Sequence, residues 1–420
     1  MSRPVRLRTI APHFPCERGD RMTERRLCLG IAGLGRAFSL MAPGFAAHPR
    51  IRLAAGADPR PEARARFAAE FGATPHATVA ELCDDRTVDA VYIASPHEFH
   101  AEHAILAASK HKHVLVEKPM ALTLADCRAM VAAAERAAVH LLVGHSHSFD
   151  APIAHARQII ARGDVGAVRT ITAVNYTDFL YRPRRPEELD SARGGGVLFN
   201  QAPHQVDIVR LLAGGRGQRV RALTGAWDPA RPTEGAYSAL LTFTDGVFAA
   251  LSYNGYGHFD TDEWCDWIGE AGQAKDPGAY GATRHLLSSA ATPEAEVALK
   301  TARNYGGGSF APSAVTTGFH PHFGCVLVSC EHGDIRPTPK GVMIYGDHER
   351  RFEALPPPRL PRAEVLDELC DVVLDGRPPP HSGAWGLATM EVCLAMQQSA
   401  RENRDIELIE QVGLPAPITS

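Results

Sequence analysis

Five short apolar runs, each followed by a helical pattern, constrain this chain more than any other feature. They are Arg26–Gly35 (RLCLGIAGLG), Ile51–Pro59 (IRLAAGADP), Asp89–Pro96 (DAVYIASP), His113–Pro119 (HVLVEKP) and His140–Ser146 (HLLVGHS). Between them lie SLMAPGFAAHP, the Ala-rich PEARARFAAEFG closed by Gly72, a short TVAELCDD, EFHAEHAILAASK and TLADCRAMVAAAERAA, all of helical character. The runs are apolar throughout rather than alternating, so both faces of their sheet must be covered. This predicts a doubly wound α/β domain with a parallel sheet, whose ligand site lies outside the carboxyl ends of the strands.

The pattern changes near Asp150. A helix (IAHARQIIARG) and a partly alternating strand (RTITAVNYTDFL) lead into the polar, Arg-rich loop YRPRRPEELDSARGGG. An amphipathic helix, VLFNQAPHQVDIVRLLAGG, follows, then strands of antiparallel character: RVRALTGAW, AYSALLTFTDGVFAALSYN and GCVLVSCEHG. Two helices, AEVLDELCDVVLDG and AWGLATMEVCLAMQQSAREN, come after the linker PPPRLP. The expected organisation is a dinucleotide-binding domain over residues 23–149 and an α+β domain with a large, mainly antiparallel open sheet over residues 150–420. Residues 269–320, polar and Gly-rich, read as a long loop or lid. Residues 1–22 are expected to be a disordered extension, with Met22 as the natural start.

Net charge is −4, which argues against nucleic-acid or anionic-membrane partners. No run approaches 18 uninterrupted apolar residues, so no membrane span is expected. Nine scattered cysteines without a CxxC pair suggest free thiols in a reducing compartment, the cytoplasm.

The chemistry-bearing residues gather at strand ends. Gly33 and Gly35 sit between the first strand and its helix, where backbone amides can receive a pyrophosphate; Arg36, Ala37 and Phe38 open that helix. Phe38 stands where the usual third glycine would be. Asp58 ends the second strand, 25 residues after Gly33; an acid there accepts hydrogen bonds from ribose hydroxyls and repels a 2′-phosphate. NAD is therefore the expected cofactor. Glu117 and Lys118 end the fourth strand, while Asn200 and His204 are four apart on one helix, with Asp207 three further on as a candidate partner for His204. A lysine, a histidine and an orienting polar group can move an alcohol proton while hydride goes to a nicotinamide. His145 and His147 share a face of a strand exit. Arg182, Arg184 and Arg185 lie on the loop feeding the helix of His204 and suit an anionic substrate; a solvated loop balanced by Glu187 and Glu188 is the alternative. His320-x-His322 lacks a placed third ligand, and no metal is expected.

At these residues the chain resembles the glucose-fructose oxidoreductase / inositol dehydrogenase / MocA family, from about Arg26 to the end. The marks are Gly33-Leu34-Gly35, Asp58, Ser95-Pro96 with His100, Glu117-Lys118-Pro119, and the Gly194–Gly196 helix with His204 and Asp207. The resemblance implies a Rossmann domain and a catalytic Lys118 partnered by His204. It also implies a cis Lys118–Pro119 bond and cofactor contacts from Ser95, His97, His100, Glu117 and Lys118. His147, Tyr176, Arg182, Arg184, Asn200 and His204 become the candidate substrate-binding set. Three departures stand out: Asn200 replaces the usual aspartate, Ser148 a common arginine, and His97 a common asparagine. YRPRRPEELD and GCVLVSCEHGDIRPTPKGVMIYGD are similar to stretches of the phthalate cis-dihydrodiol dehydrogenases. That similarity implies NAD-dependent oxidation of an anionic cyclic diol, with Lys118 relayed by His204 as base and Asn200 as orienting group. A sugar or inositol dehydrogenase and a non-catalytic NAD sensor are the rival readings. An apolar far face of the second sheet implies a homo-oligomer.

Overall fold

The computed structural model describes residues 25–308, 310 and 318–414. The extension over residues 1–22, with its Met22, therefore lies outside the described residues.

The first domain runs β1 (Leu27–Ala32), α1 (Arg36–Ala47), β2 (Ile51–Ala57), α2 (Pro61–Phe71), β3 (Thr74–His76), α3 (Val79–Asp84), β4 (Ala90–Ile93), α4 (His100–Ser109), β5 (His113–Val116), α5 (Leu124–Ala137) and β6 (Leu141–Val143). Its six strands are all parallel, in the order β3-β2-β1-β4-β5-β6. The central strands are buried almost throughout, β4 fully and β1 at every residue but Cys28, as their apolar sequences require. The chain order reverses between β1 and β4, so the carboxyl ends of these two strands open the crevice where a doubly wound fold binds its ligand.

The second domain contains α6 (Ala151–Arg162), β7 (Val168–Tyr176), α7 (Gly196–Asn200), α8 (Ala202–Ala213), β8 (Gly217–Gly225), β9 (Ala236–Phe243), β10 (Phe248–Asn254), α9 (Ala282–Ser288), α10 (Pro293–Thr301), β11 (Cys325–Cys330), β12 (Gly333–Thr338), β13 (Gly341–Gly346), β14 (Arg350–Ala354), α11 (Ala363–Asp375), α12 (Gly383–Glu402) and β15 (Ile406–Glu407). Nine strands form one mixed sheet ordered β14-β13-β12-β11-β7-β10-β9-β8-β15, antiparallel except for the β7–β10 pair. Helices α6, α8 and α12 pack on one face. On the opposite face Leu223, Leu240, Phe248 and Phe352 are exposed.

Two assignments from sequence need correcting. Helix α11 does not cover the second sheet: Val365, Leu366, Leu369 and Cys370 are buried in the core of the first domain, with Phe38, Phe45 and Leu29. And residues 269–320 are not a plain loop. They carry α9 and α10 and then return to the first domain, where Tyr305 is fully buried. Its ring meets Phe38 edge-on at 5.0 Å, and its hydroxyl donates to Glu70 at 2.7 Å. On the way, Glu296 accepts from Arg231 at 2.7 Å and Lys300 donates to Glu188 at 2.8 Å. The segment's described residues thus form a strap joining both domains, with Tyr305 as its aromatic anchor on the first and the Glu296 and Lys300 ion pairs on the second. No described helix is long and apolar enough to cross a membrane.

Candidate active site

A cavity of about 1120 Å³ lies between the domains at the carboxyl ends of the parallel strands. Its cofactor side begins at the turn after β1. Gly33 has φ +100°, and a Cβ there would meet the Ala94 carbonyl oxygen and the Ser95 nitrogen at 2.8 Å. At Gly35 a Cβ would meet nothing within 4 Å, so open space lies before the amino end of α1. Arg36 and Ala37 line that space, and the Arg36 guanidinium has no acid partner among the described residues. An anion at a helix amino end beside an unpaired arginine is what a dinucleotide pyrophosphate would supply, so these residues fit NAD.

Phe38 does not belong to this set as a side chain. It is fully buried against Phe45, Phe67 and Tyr305, filling the place that a close-packing glycine would leave empty. Asp58 is also more engaged than expected. Its Oδ2 accepts from the Leu34 amide at 2.9 Å, and Oδ1 accepts from the Arg60 amide at 2.9 Å and from Arg60 Nε at 3.0 Å. The carboxylate thus ties the glycine turn to the end of β2. Ser95, His97 and His100 line the cavity. The buried ring of His100 bridges the Ser95 and Pro119 carbonyls, at 3.0 and 2.9 Å. Ser95 Oγ meets His103 Nδ1 at 2.9 Å.

The reacting end is built on β5. Glu117 is buried, and its Oε1 accepts from the Tyr92 hydroxyl at 2.5 Å. Lys118 follows, and its peptide bond to Pro119 is cis. Lys118 Nζ donates to the backbone oxygen of Asn200 at 3.0 Å. Burial pulls its ammonium below the ordinary lysine range, against the opposing pull of Glu117.

The Asn200 side chain does not meet Lys118. Gln201 breaks the helix between α7 and α8, so Asn200 and His204 are not on one continuous helix. Asn200 Nδ2 instead turns back to the Gly196 oxygen at 2.8 Å and the Gly194 oxygen at 3.3 Å. Asp207 is not the partner of His204 either. It accepts from Ser148 Oγ at 2.5 Å, from Thr389 at 3.1 Å and from the Trp385 indole. His204 Nδ1 is buried without a partner; burial, then Lys118 and the neighbouring histidines, hold this imidazole well below its usual range, hence neutral.

His147 packs against His204 with ring centroids 4.8 Å apart, and its Nδ1 lies 2.7 Å from Asp150 Oδ2. His145 lies deeper, neutral for the same reason of burial. Arg182 and Arg184 line the cavity; Arg185 does not. Arg185 is held by Glu187 and Glu188. Arg184 stacks on Phe179 at 3.7 Å and donates to its carbonyl at 2.6 Å. Arg182 is the least committed, with Asp178 and Glu270 both at 3.7 Å. Tyr176 does not line the cavity; its backbone bonds Thr261 and its ring faces Phe259. His320 and His322 each bind a different backbone carbonyl, of Pro356 and Ile268.

Several lining residues escaped the sequence reading, Arg362 among them. Arg362 sits at the cavity wall, with no ion pair among the described residues. It is the N-cap of α11, with φ +56°. A cation at a helix amino end, in a left-handed conformation, violates two local preferences at once, and that conflict is the signal that marks it.

Residues 27–145 match the model of an oxidoreductase family with an NAD-binding Rossmann fold, and residues 153–275 match the GFO/IDH/MocA C-terminal domain. The chain is 45% identical to a 1-carboxy-3-chloro-3,4-dihydroxycyclohexa-1,5-diene dehydrogenase of Comamonas testosteroni, covering 89% of this chain and 94% of that one. A solved structure from Bordetella bronchiseptica RB50 superposes with a TM-score of 0.86 at 43% identity, over 91% of this chain and 100% of that one. The WlbA dehydrogenase of Bordetella pertussis, solved with NADH and UDP-GlcNAcA, shares the fold at 22% identity and a TM-score of 0.64, over 92% and 99% of the two chains.

Proposed function

The chain belongs to the GFO/IDH/MocA family of NAD-dependent oxidoreductases, and from that premise we propose that it oxidises the cis-dihydrodiol of an aromatic acid, the 4,5-cis-dihydrodiol of phthalate foremost, to the dihydroxy aromatic acid. The observation that carries the reading is the 45% identity, over nearly the whole chain, to a dehydrogenase whose name describes a carboxylated ring diol. The cavity supports it: Arg182, Arg184 and Arg362 line the same space as Lys118 and His204, and cations receive carboxylates.

Bound NAD⁺ would supply the hydride acceptor. The Gly33–Gly35 turn, Arg36, Ser95, His97 and His100 would hold it. Lys118, its ammonium disfavoured by burial, stands against the reacting hydroxyl and draws off its proton, with neutral His204 beside it. Asn200 orients the lysine through its main-chain oxygen. Arg182, whose contacts to acids are both 3.7 Å long while Arg184 is tied to the Phe179 carbonyl, is the arginine most free to take a substrate carboxylate. Loss of hydride and proton from one carbinol leaves a ketone that tautomerises to the aromatic diol, so the reaction runs toward NADH.

The exposed Leu223, Leu240, Phe248 and Phe352 on the open sheet face support a homo-oligomer, which sedimentation would test. The described cysteines are all free, in keeping with a cytoplasmic protein. The functional test incubates the protein and NAD⁺ with the dihydrodiols of phthalate, of benzoate and of benzene, and with myo-inositol and glucose. Fast NADH formation from the carboxylated diols is expected. Turnover of inositol or glucose, with none of the diols, would refute the assignment.

A further inference from the structure

Asp150, at the start of α6, is 2% exposed and lies 2.7 Å from Nδ1 of His147. We propose that His147, held by Asp150, is the terminal proton acceptor of the site: the proton that Lys118 draws from the substrate hydroxyl ends on Nε2 of His147. This rests on the dehydrogenase reading above and deepens it.

Three observations carry the proposal. A carboxylate only accepts, so the short contact requires Nδ1–H to donate, which leaves the lone pair on Nε2. Nε2 has no hydrogen-bond partner among the described residues, and the ring lines the cavity against His204. Third, of the imidazoles lining the cavity only His147 has a carboxylate at hydrogen-bond distance among the described residues. His145 Nδ1 and His204 Nδ1 are buried without partners, so an imidazolium at His204 would lack compensation and one at His145 would face only a carboxylate oxygen beyond hydrogen-bond reach. Asp150 Oδ1 is likewise unpartnered, 3.7 Å from His145 Nε2, so its charge is not spent elsewhere.

The ligand atoms of His145, His147 and Asp150 also fall within 4.8 Å of one another, as a metal site would require. The 2.7 Å contact decides against that use. It is a hydrogen-bond length, whereas two ligands at about 2.05 Å from a tetrahedral ion stand roughly 3.3 Å apart.

The step balances. The carbinol C–H bond breaks and its electron pair passes as hydride to bound NAD⁺, giving NADH. The O–H proton moves to Lys118 and on to His147, from which it leaves to solvent, and the carbon becomes a carbonyl. Charged and titratable groups facing the dyad are His145 beside it, His204 on α8, His320 before β11, Arg362 and Glu364 at the start of α11, and His381 behind Phe149. Burial pushes Glu364 up to about 7, so a Glu364→Gln background is needed to isolate the histidine.

The test measures kcat from about pH 5 to 9 and NADH affinity by fluorescence. Its samples are wild type, His147→Gln, Asp150→Asn and Asp150→Glu, with Glu364→Gln alone and combined with His147→Gln, and whichever alcohol of the panel wild type oxidises. His147→Gln should lower kcat by about 10²-fold or more at unchanged NADH affinity and should remove the acid limb of the profile. Asp150→Asn should lower it at least about tenfold, because an amide can donate to Nδ1 and reverse the tautomer; Asp150→Glu should recover part. Should His147→Gln not fold, the Asn–Glu pair at position 150 decides. A His147→Gln enzyme within about threefold of wild type, or one with its acid limb intact in the Glu364→Gln background, would overturn the relay alone. Wild type inactive on every alcohol would overturn both the relay and the reading beneath it.

Discussion

Replacing Tyr305 by alanine should free the strap of α9 and α10 from the first domain. The tyrosine is fully buried, edge-on to Phe38 at 5.0 Å and Phe310 at 5.3 Å, with its hydroxyl on Glu70. Truncating a buried aromatic costs about 3–5 kcal/mol. The ion pairs Arg231–Glu296 and Lys300–Glu188 are untouched, so the loss falls on the anchor and shifts its docking equilibrium by about 10²–10⁴-fold. Limited trypsinolysis reads this directly, because Lys300 and Arg303 stand just before the anchor and cleavage tracks the open population when reclosing is fast. The strap-specific cleavage rate should rise at least about tenfold, up to the ceiling set by the fully open segment. Tyr305→Phe keeps the ring and loses only the bond to half-exposed Glu70, so its rate should change by less than about tenfold. Equal cleavage of wild type and Tyr305→Ala would refute the anchor. So would cleavage spread evenly over the whole chain, which would report global unfolding instead.

Lys118→Met should lower the hydride-transfer rate by about 10²-fold or more while NADH still binds, seen by stopped-flow absorbance and fluorescence titration; retention of a tenth of the rate would contradict its role as proton acceptor. Asp58→Ser should lower the preference for NAD over NADP, because it removes the carboxylate and releases the Arg60 guanidinium; an unchanged ratio of kcat/KM values would count against that role. Stability should fall as pH drops below about 6.5, the unfolded histidine value. Buried His145 and His204 stay neutral when folded, so the unfolded chain takes up protons that the folded one does not, up to about 1.4 kcal/mol per pH unit for each. His381 works in the opposite sense. Burial opposes its charge, but Glu368 outweighs burial and raises it, so its contribution is present at low pH and lost as pH rises through its folded value. Thermal unfolding between about pH 5 and 7 should show the net decline, and a rise in stability on acidification would refute it.

The parallel sheet and the placement of Lys118 were legible because they depend on local pattern. A strand buried on both faces is apolar throughout, and a charged pair at its carboxyl end stands out. Elements settled by distant contacts were not legible. Asp207 finds Ser148 and Trp385 from far along the chain rather than His204 one turn away. The break at Gln201 leaves no glycine or interior proline mismatch to reveal it, since Pro203 is acceptable in the first turn of α8. Helices α9 and α10 are short and lack a buried stripe, so their periodicity is weak. The apolar face of α11 was visible, but nothing in its own sequence says which domain it covers.

The two halves of Asn200 hold different partners. Because Lys118 is held by the main-chain oxygen there, that hydrogen bond does not depend on the side chain. The amide then donates to the carbonyls of Gly194 and Gly196, which a carboxylate cannot do. Aspartate there would set a negative oxygen against two carbonyl oxygens in a turn where Gly194 and Gly196 already hold positive φ. The side chain at 200 thus belongs to the glycine turn, and an acid in its place would require the turn itself to be rebuilt.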